Sequence, residues 1–323
     1  MTYEKRLLHP VFDRLEQMRV KSEAEAAERQ NRIYETLPEI AEIDFALQSA
    51  MLEVAKHAFQ NGISATVPLA KLREENLALQ KRRAEILQNA GYPADYTEQK
   101  YQCNACRDTG YIGQTLCACV DRMYREALVS ELSESVGVGV SGFSSFRLDL
   151  YSDLKFGGAT SPREQMAEVL EFCKNYAGHF SKKSPNLLIV GDTGSGKTLI
   201  SACIAHEVVR SGASVVFDTA FRTFSRFEAD RFGRAEEEDG STRRYYESDL
   251  LVIDGLGGEV ITQYSTAQLG DLIAQRELRE KPTIINTALS AEEFRLKYKK
   301  PLAARIEGGF VRVPMFGQDN RGK

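Results

Sequence analysis

The sequence lacks long apolar runs, low-complexity tracts and an excess of positive charge. Charged residues interrupt its start, MTYEKRLLHPVFDRLEQMR, so this stretch cannot supply the apolar region of a signal peptide, and no later run reaches membrane-spanning length. The formal net charge of -4 argues against a protein that coats duplex DNA through bulk positive charge. We therefore expect a cytoplasmic protein without a membrane partner, in which any contact with nucleic acid is local.

The composition is that of a folded chain, with 42% hydrophobic and 27% charged residues. Its 323 residues suit two domains better than one. Six cysteines could form disulfides, but a reducing compartment disfavours them, and four of the six cluster at a spacing typical of metal ligands. Metal binding is therefore the favoured interpretation of the cluster.

The first hundred residues are predicted to be helical. A second helix in this region is indicated by Leu72, Leu79 and Ile86, with Gly62 and Pro68 marking the break before it and Gly91 with Pro93 its stop. The first helix is predicted from apolar residues at every third or fourth position, namely Ile33, Leu37, Ile40, Ile43, Leu47, Met51 and Val54. A packed helix pair explains both patterns better than a long coiled coil, because the heptads are few and imperfect.

The cysteine cluster consists of two close pairs separated by a glycine-containing loop. Cys103 and Cys106 form the first pair, and Cys117 and Cys119 the second, so four thiolates could close a tetrahedral Zn²⁺ site. Four free or buried thiols are a weaker explanation, because isolated cysteines do not cluster around turn residues such as RDTGYIG. Because four thiolates leave no coordination position open to a substrate, the pattern predicts a structural zinc and not a catalytic one. Cys173 and Cys203 are interpreted as core residues.

Beyond a helical segment near 121–136 and the stretch VGVGVSG, interpreted as a hinge, the pattern changes. Strand-like runs NLLIV, SVVFDT, LLVID and PTIINT alternate with helical segments, which predicts a parallel α/β sheet. The charged segment RFGRAEEEDGSTRRYYESD is interpreted as a solvated loop, and Ser290 with Glu293 as a helix capping box.

The strongest motif fits the phosphate-binding pattern G-x-x-x-x-G-K-[ST], between a strand and a helix. Its members are Gly191, Asp192, Thr193, Gly194, Ser195, Gly196, Lys197 and Thr198. Glycines let the backbone N–H groups point at phosphates, Lys197 reaches the β- and γ-phosphates, and the Thr198 hydroxyl holds Mg²⁺. The strand DLLVID ends in Asp254, a carboxylate that can hold the same ion. Together they predict ATP and Mg²⁺ as cofactors.

These motifs resemble the DnaC/DnaI-type helicase loaders, which are AAA+ ATPases of bacterial chromosome or phage replication. The resemblance is carried by YTEQKYQCNACRDTGYIGQTLCACV, FSSFRLDLYSD, GDTGSGKT and LLVIDGLGGE, and it runs from about residue 70 to the C-terminus. It implies an α/β fold: a three-layer AAA+ P-loop core with a parallel sheet, preceded by a helical region and a small zinc module. The expected domains are 1–100 for helicase binding, 101–120 for zinc, 121–145 as a helical linker and 146–323 for ATP binding.

The resemblance also implies an activity and partners. The N-terminal half would hold a replicative DNA helicase, and the AAA+ half would bind ATP and single-stranded DNA and assemble with neighbouring subunits in a ring or spiral. Arg305 falls on the family position that projects toward a neighbour's nucleotide, although a surface ion pair is the alternative. The run Arg295, Lys297, Lys299 and Lys300, interleaved with Tyr298, could touch a DNA backbone or form a solvated face, and no site is assigned there.

Two departures from the family pattern affect the expected chemistry. Gly255 stands where a second acid usually follows the magnesium-binding aspartate, so either Glu259 orients water instead or turnover is very slow. Ala288 stands where the family's polar sensor is usually asparagine, so Asn286 or Thr287 is expected near the γ-phosphate.

Two other functions remain open. An IstB-type transposition helper shares the core motifs but typically lacks the zinc-bearing extension. A non-hydrolysing adaptor would use ATP only to stabilise one conformation, and Gly255 favours it.

Overall fold

The structure is a computed structural model that describes residues 3, 5–61, 66–136, 141–155, 160–233 and 242–317, without the side chains of 51–61, 66–72, 135, 136 and 299. Gly62, the side chains of Met51, Val54 and Leu72, and most of the predicted hinge lie outside the described residues. The chain divides into two compact units, Phe12–Cys119 and Met1–Val11 with Val120–Lys323. In the described part of the chain, no helix has both the length and the apolar character needed to cross a membrane.

The unit Phe12–Cys119 is helical, as predicted, and ends in a small hairpin. Its elements are α1 (Lys5–Thr36, from Phe12 onward), α2 (Pro38–Asn61), α3 (Thr66–Asn89), β1 (Tyr111–Ile112) and β2 (Thr115–Leu116). Strands β1 and β2 pair antiparallel. Helix α3 ends just before Gly91, whose φ of +84° agrees with the predicted stop.

The prediction of one continuous helix through the apolar stripe is wrong, because the chain breaks at Leu37 between α1 and α2. Pro38 opens α2, where a residue without an N–H group leaves no hydrogen bond unmade. The stripe still faces inward on both sides of the break: Ile33 and Ile40 are fully buried and pack with Leu87 of α3.

The second unit contains a five-stranded parallel sheet, which confirms the predicted fold class. Its elements are α4 (Ala118–Val136), α5 (Pro162–Gly178), β3 (Asn186–Val190), α6 (Lys197–Arg210), β4 (Val215–Thr219), α7 (Ala220–Arg231), α8 (Arg243–Glu247), β5 (Leu250–Leu256), α9 (Gln263–Leu278), β6 (Thr283–Thr287), α10 (Ala291–Gly309) and β7 (Phe310–Pro314). The strand order is β4-β5-β6-β3-β7, and every neighbouring pair is parallel. The predicted capping box of Ser290 and Glu293 opens α10.

Helices cover both faces of this sheet, giving the three layers expected. Alternate strand residues point to opposite faces. Leu188, Leu251 and Ile285 belong to a buried cluster with α7, α9 and α10, whereas α6 contacts β4, β5 and β6 and packs on α5. Strands buried on both faces read as continuous apolar runs, which is why NLLIV and LLVI were recognisable in the sequence.

Part of the charged segment predicted as a solvated loop is instead a short helix with one buried side chain. Residues 234–241 lie outside the described residues, but α8 follows them and buries Tyr245 completely. The Tyr245 hydroxyl donates to Asp218 Oδ2 at 2.6 Å. The charged residues around Tyr245 in RRYYE made the whole segment resemble a solvated loop, although the Tyr245 ring is buried.

Candidate nucleotide-binding site and cysteine cluster

The phosphate-binding motif lies where the sequence predicted it, between a buried strand and a helix. Strand β3 ends at Val190 and α6 begins at Lys197, so the loop leads directly into a helix N-terminus. Gly194 and Gly196 have φ values of +80° and +95°, which L side chains rarely adopt. The curled backbone therefore depends on glycine at these two positions.

Close packing also requires glycine in this loop. A Cβ atom on Gly191 would lie 2.7 Å from the Met315 carbonyl oxygen, and one on Gly196 would lie 2.7 Å from the Tyr151 hydroxyl. Both distances are shorter than van der Waals contact. Two segments outside the motif, around Tyr151 and Met315, thus lie directly against it.

The polar groups of the loop are arranged around its own backbone. Lys197 Nζ donates to the carbonyl oxygens of Gly191 and Asp192, each at 2.7 Å. Asp192 and Thr193 are exposed, while Ser195 is fully buried and its Oγ has no hydrogen-bond partner among the described residues. The amine of Lys197 is therefore held against the first two residues of the loop.

The structure brings Asp254 to the loop. Thr198 Oγ1 lies 3.0 Å from both Asp254 Oδ1 and Asp254 Oδ2, although the two residues are 56 positions apart. A hydroxyl and a carboxylate at this separation supply oxygen ligands of the kind that Mg²⁺ prefers. The two predicted motifs thus meet in one site.

Asn286 lies behind Asp254. It is fully buried, and its Nδ2 donates to Asp254 Oδ1 at 2.6 Å and to Ser201 Oγ at 2.7 Å. Thr287, also buried, donates to the Leu256 carbonyl at 2.7 Å. Asn286 therefore contacts the carboxylate that the sequence predicts as a metal ligand, whereas the hydroxyl of Thr287 binds a backbone carbonyl of β5.

The geometry at Gly255 explains why a carboxylate is absent there. Its φ is +72°, and β5 is irregular against β6 between Ile253 and Leu256. A Cβ atom would meet nothing within 4 Å, so the backbone conformation and not lack of space favours glycine.

Glu259 is held by neighbours of its own. One carboxylate oxygen accepts from the Gly257 amide at 2.7 Å, and the other accepts from the hydroxyl of Tyr298. Burial, followed by this hydrogen bond and the charge of Glu259, raises the pKa of Tyr298 far above its ordinary value. For Glu259 to orient water, it would have to exchange the Tyr298 hydroxyl for that water.

The basic residues near the C-terminus occupy separate positions. Arg305 is half exposed, and its Nε lies 3.8 Å from Glu277. Arg295 forms an ion pair with Glu307, and Lys297 donates to the Gly257 carbonyl at 3.0 Å. Tyr298 is buried, so it offers no exposed ring for stacking with a base.

The four cysteines of the cluster lie close together. All four sulfurs are within 4.8 Å of one another, with 3.7 Å between those of Cys103 and Cys117 and 3.5 Å between those of Cys106 and Cys119. A tetrahedral zinc with Zn–S bonds near 2.3 Å separates its sulfurs by about 3.8 Å. The donor set and its spacing therefore fit Zn²⁺.

The backbone between the cysteine pairs is held by Asp108. This buried carboxylate accepts from the amides of Gln102 and Cys103, at 2.9 and 2.7 Å. The pKa of the Cys103 thiol is lowered to about 7, chiefly by a backbone hydrogen bond from Cys106. Cys173 and Cys203 are fully buried elsewhere, which confirms their interpretation as core residues.

Residues that line the loop from outside the motif were not predicted. Tyr151 and Met315 contact it, but no motif contains them. The segment FSSFRLDLYSD was noted only for its resemblance, and β7 before Met315 was not predicted as a strand. The Tyr151 hydroxyl contacts the Ser195 carbonyl 44 residues away, and no sequence pattern predicts a contact at that separation.

Comparison with known proteins gives a consistent picture. The profile of the family "IstB-like ATP binding protein" matches residues 165–304. The replicative helicase loader DnaC of Buchnera aphidicola (subsp. Acyrthosiphon pisum) is 22% identical over 163 residues, 50% of this chain and 66% of that protein. DnaC of Escherichia coli K12 is 23% identical over 144 residues, 45% of this chain and 59% of that protein. The match thus spans less than two thirds of these relatives.

Two further similarities concern an insertion-sequence protein and a solved structure. An insertion sequence IS21-like ATP-binding protein of Bacteroides fragilis (strain YCH46) is 29% identical over 109 residues, 34% of this chain and 50% of that protein. A crystal structure of DnaI is 17% identical and covers 58% of this chain and 93% of that one, with a TM-score of 0.43.

The parallel sheet, the glycine-rich loop and the facing aspartate define a P-loop domain, and residues 165–304 match a family of ATP-binding proteins. Within that class, the predicted resemblance to the DnaC/DnaI-type helicase loaders is confirmed.

Proposed function

We propose that this protein is an ATP-dependent loader of a replicative DNA helicase. The observation that carries the proposal is the contact of Thr198 with Asp254 beside a glycine-rich loop, in a chain similar to DnaC. Lys197 would hold the β- and γ-phosphates, and Thr198 with Asp254 would hold Mg²⁺. The bound ion would neutralise phosphate charge during hydrolysis.

The remaining assignments follow from the contacts of each residue. Asn286 would keep the Asp254 carboxylate oriented toward the ion. With Gly255 in place of an acid and Glu259 engaged by Tyr298, turnover would be slow until a partner rearranges this segment. Arg305, exposed on α10, would reach the nucleotide of a neighbouring subunit in a ring or spiral.

The helical unit would hold the helicase, and the zinc module would be structural. The domain limits predicted from the sequence, with 1–100 for helicase binding and 146–323 for ATP binding, form part of this proposal. Single-stranded DNA would bind to the assembled AAA+ domains in the cytoplasm.

Three measurements test the proposal. The purified protein should bind MgATP and form a complex with the replicative helicase of its host, and it should speed assembly of that helicase on circular single-stranded DNA. Lys197→Ala should lose ATP binding, because the phosphate charge is then uncompensated, while keeping the helicase complex. A wild-type protein that ignores adenine nucleotides, or that forms no helicase complex, contradicts the proposal.

A transposition helper is the second candidate, favoured by the matching family profile and the insertion-sequence relative. Stimulation of ATP hydrolysis by helicase and single-stranded DNA supports the loader. Stimulation by a transposase with duplex DNA supports the helper. No hydrolysis under any of these conditions, with ATP binding intact, identifies a non-hydrolysing adaptor.

A further inference from the structure

Tyr151 touches the phosphate-binding loop at the point where the backbone must take a defined orientation. Its ring is 4% exposed, and its hydroxyl donates to the Ser195 carbonyl oxygen at 2.8 Å. Phe146 stacks on the ring at 5.7 Å between centroids, and Arg163 Nε donates to the Tyr151 carbonyl at 3.0 Å. The hydroxyl is therefore fixed in place by its surroundings.

The orientation of the Ser195 carbonyl determines that of the next N–H group. A peptide unit is planar and trans, so its C=O and N–H bonds point in opposite directions. With the Ser195 oxygen bound to Tyr151, the Gly196 N–H must point away from Tyr151. Phosphate loops bind their ligand through backbone N–H groups, so a reversed peptide would present a carbonyl oxygen to the phosphates instead.

Nothing within the Ser195–Gly196 peptide itself opposes such a reversal strongly. Gly196 has no Cβ and tolerates conformations on both sides of the φ map. The same absence of Cβ allows the Tyr151 hydroxyl to approach, because a Cβ there would lie 2.7 Å from it. The absence of a Cβ at Gly196 thus allows the peptide to reverse, and it also leaves space for the Tyr151 hydroxyl, which restricts that reversal.

We propose that Tyr151 is a positioning residue that locks the Ser195–Gly196 peptide in the orientation that binds phosphate. This inference rests on the proposed ATP binding and adds a residue outside the loop motif. Met315 also contacts the loop, since a Cβ on Gly191 would lie 2.8 Å from the Met315 Cβ.

Tyr176 provides a matched control. It is 8% exposed, and its hydroxyl donates to the Pro185 carbonyl at 3.0 Å, at the start of β3 and away from the loop. Tyr151→Phe and Tyr176→Phe each remove one buried hydroxyl and keep the ring. We expect similar losses of thermal stability from both variants. Only Tyr151→Phe should weaken MgATP and MgADP binding, by about 3- to 10-fold, the effect of one hydrogen bond.

Competition by inorganic tripolyphosphate separates phosphate from base recognition. Tyr151→Phe should weaken tripolyphosphate by the same factor as ATP. Unchanged affinities, an equal loss in Tyr176→Phe, or a loss for ATP without a loss for tripolyphosphate would each overturn the inference while leaving ATP binding intact. A wild-type protein that binds no nucleotide overturns the proposed function itself, and the inference with it.

A second variant covers the case in which Tyr151→Phe does not fold. A Cβ on Gly317 would lie 2.8 Å from the Tyr151 ring, and the φ of +114° at Gly317 also disfavours alanine, so Gly317→Ala disturbs the packing of this segment against the ring without removing the hydroxyl. It should raise the Kd for MgATP in the same direction, and an unchanged Kd would overturn the inference.

Discussion

The ATP-binding unit and the cysteine module are ordered by different forces. In the first, strands of a parallel sheet bury apolar side chains on both faces, and fully buried residues such as Leu187, Leu251 and Ile284 form its centre. In the second, the strands are only two residues long, and the cysteines Cys106, Cys117 and Cys119 are themselves buried, the last of them in the first turn of α4. Burial of apolar side chains stabilises the sheet, whereas the proposed zinc would stabilise the cysteine module.

The backbone of the module strengthens this contrast. Arg107 and Asp108 have φ values of +53° and +58°, a conformation that costs about 1 kcal/mol or more per non-glycine residue. So short a segment has little apolar surface to offset such strain. A tetrahedral metal would supply the missing stabilisation.

The largest effect should follow from removing one sulfur. Cys106→Ser should abolish stoichiometric zinc binding and open the module to proteases, because zinc contributes roughly 10–16 kcal/mol of apparent folding energy in small peptides. Metal analysis and limited proteolysis between residues 100 and 120 measure both outcomes. Nucleotide affinity of the ATP-binding unit should be unchanged.

Cys203→Ala is the control for that experiment. Cys203 is also fully buried, but it lies on α6 and donates to the Gly142 carbonyl at 3.1 Å. Its loss should lower stability and leave the zinc content at one per chain. Full zinc retention in Cys106→Ser would exclude the four-thiolate site.

In both regions the sequence predicts the functional motifs, but it does not predict every strand. The loop 191–198 and the cysteine pairs combine residue type with strict spacing, and the structure brings the residues of each motif together. Apolar strands such as β3 and β5 are nearly continuous hydrophobic runs. Strand β7 is not, since only Phe310 and Val313 of its five residues are buried, as expected at a sheet edge.

Contacts between distant segments were beyond prediction. The break at Leu37 depends on one proline in an otherwise regular stripe, and the burial of Tyr245 depends on Asp218, 27 residues earlier. Likewise, the engagement of Glu259 by Tyr298 joins residues 39 positions apart. The last two features are set by tertiary packing, which local patterns do not encode, whereas Pro38 is a local signal that lies within the apolar stripe.

A middle-sized effect should appear in the sheet unit at Arg276. Its side chain is fully buried and donates to the carbonyls of Tyr245, Ser248 and Pro282 at 2.7–3.0 Å. Burial lowers its pKa to about 9. Arg276→Met keeps the apolar stem and removes the donor from the Tyr245 and Ser248 carbonyls, whereas the Pro282 carbonyl keeps the Leu251 amide, so the free energy of unfolding should fall by about 3 kcal/mol.

Denaturant unfolding measures that change, and Arg279→Met is its control. Arg279 is exposed one turn further along, so its loss should alter stability by less than about 0.5 kcal/mol. Zinc content should be normal in both variants, since the sheet unit and the module are stabilised separately. Equal stability of the two variants would contradict a structural role for the buried guanidinium.

The smallest effect should come from Asp108, which supports the cysteine module without a sulfur. Its two carboxylate oxygens accept from the amides of Gln102 and Cys103. In Asp108→Asn only one oxygen remains, so one amide loses its acceptor, at about 1–2 kcal/mol. Zinc affinity, measured by competition with a chelator, should fall about 10-fold. Asp95→Asn, which alters an exposed carboxylate, should leave affinity unchanged. If Asp108→Asn also leaves it unchanged, the thiolates alone determine the shape of the module.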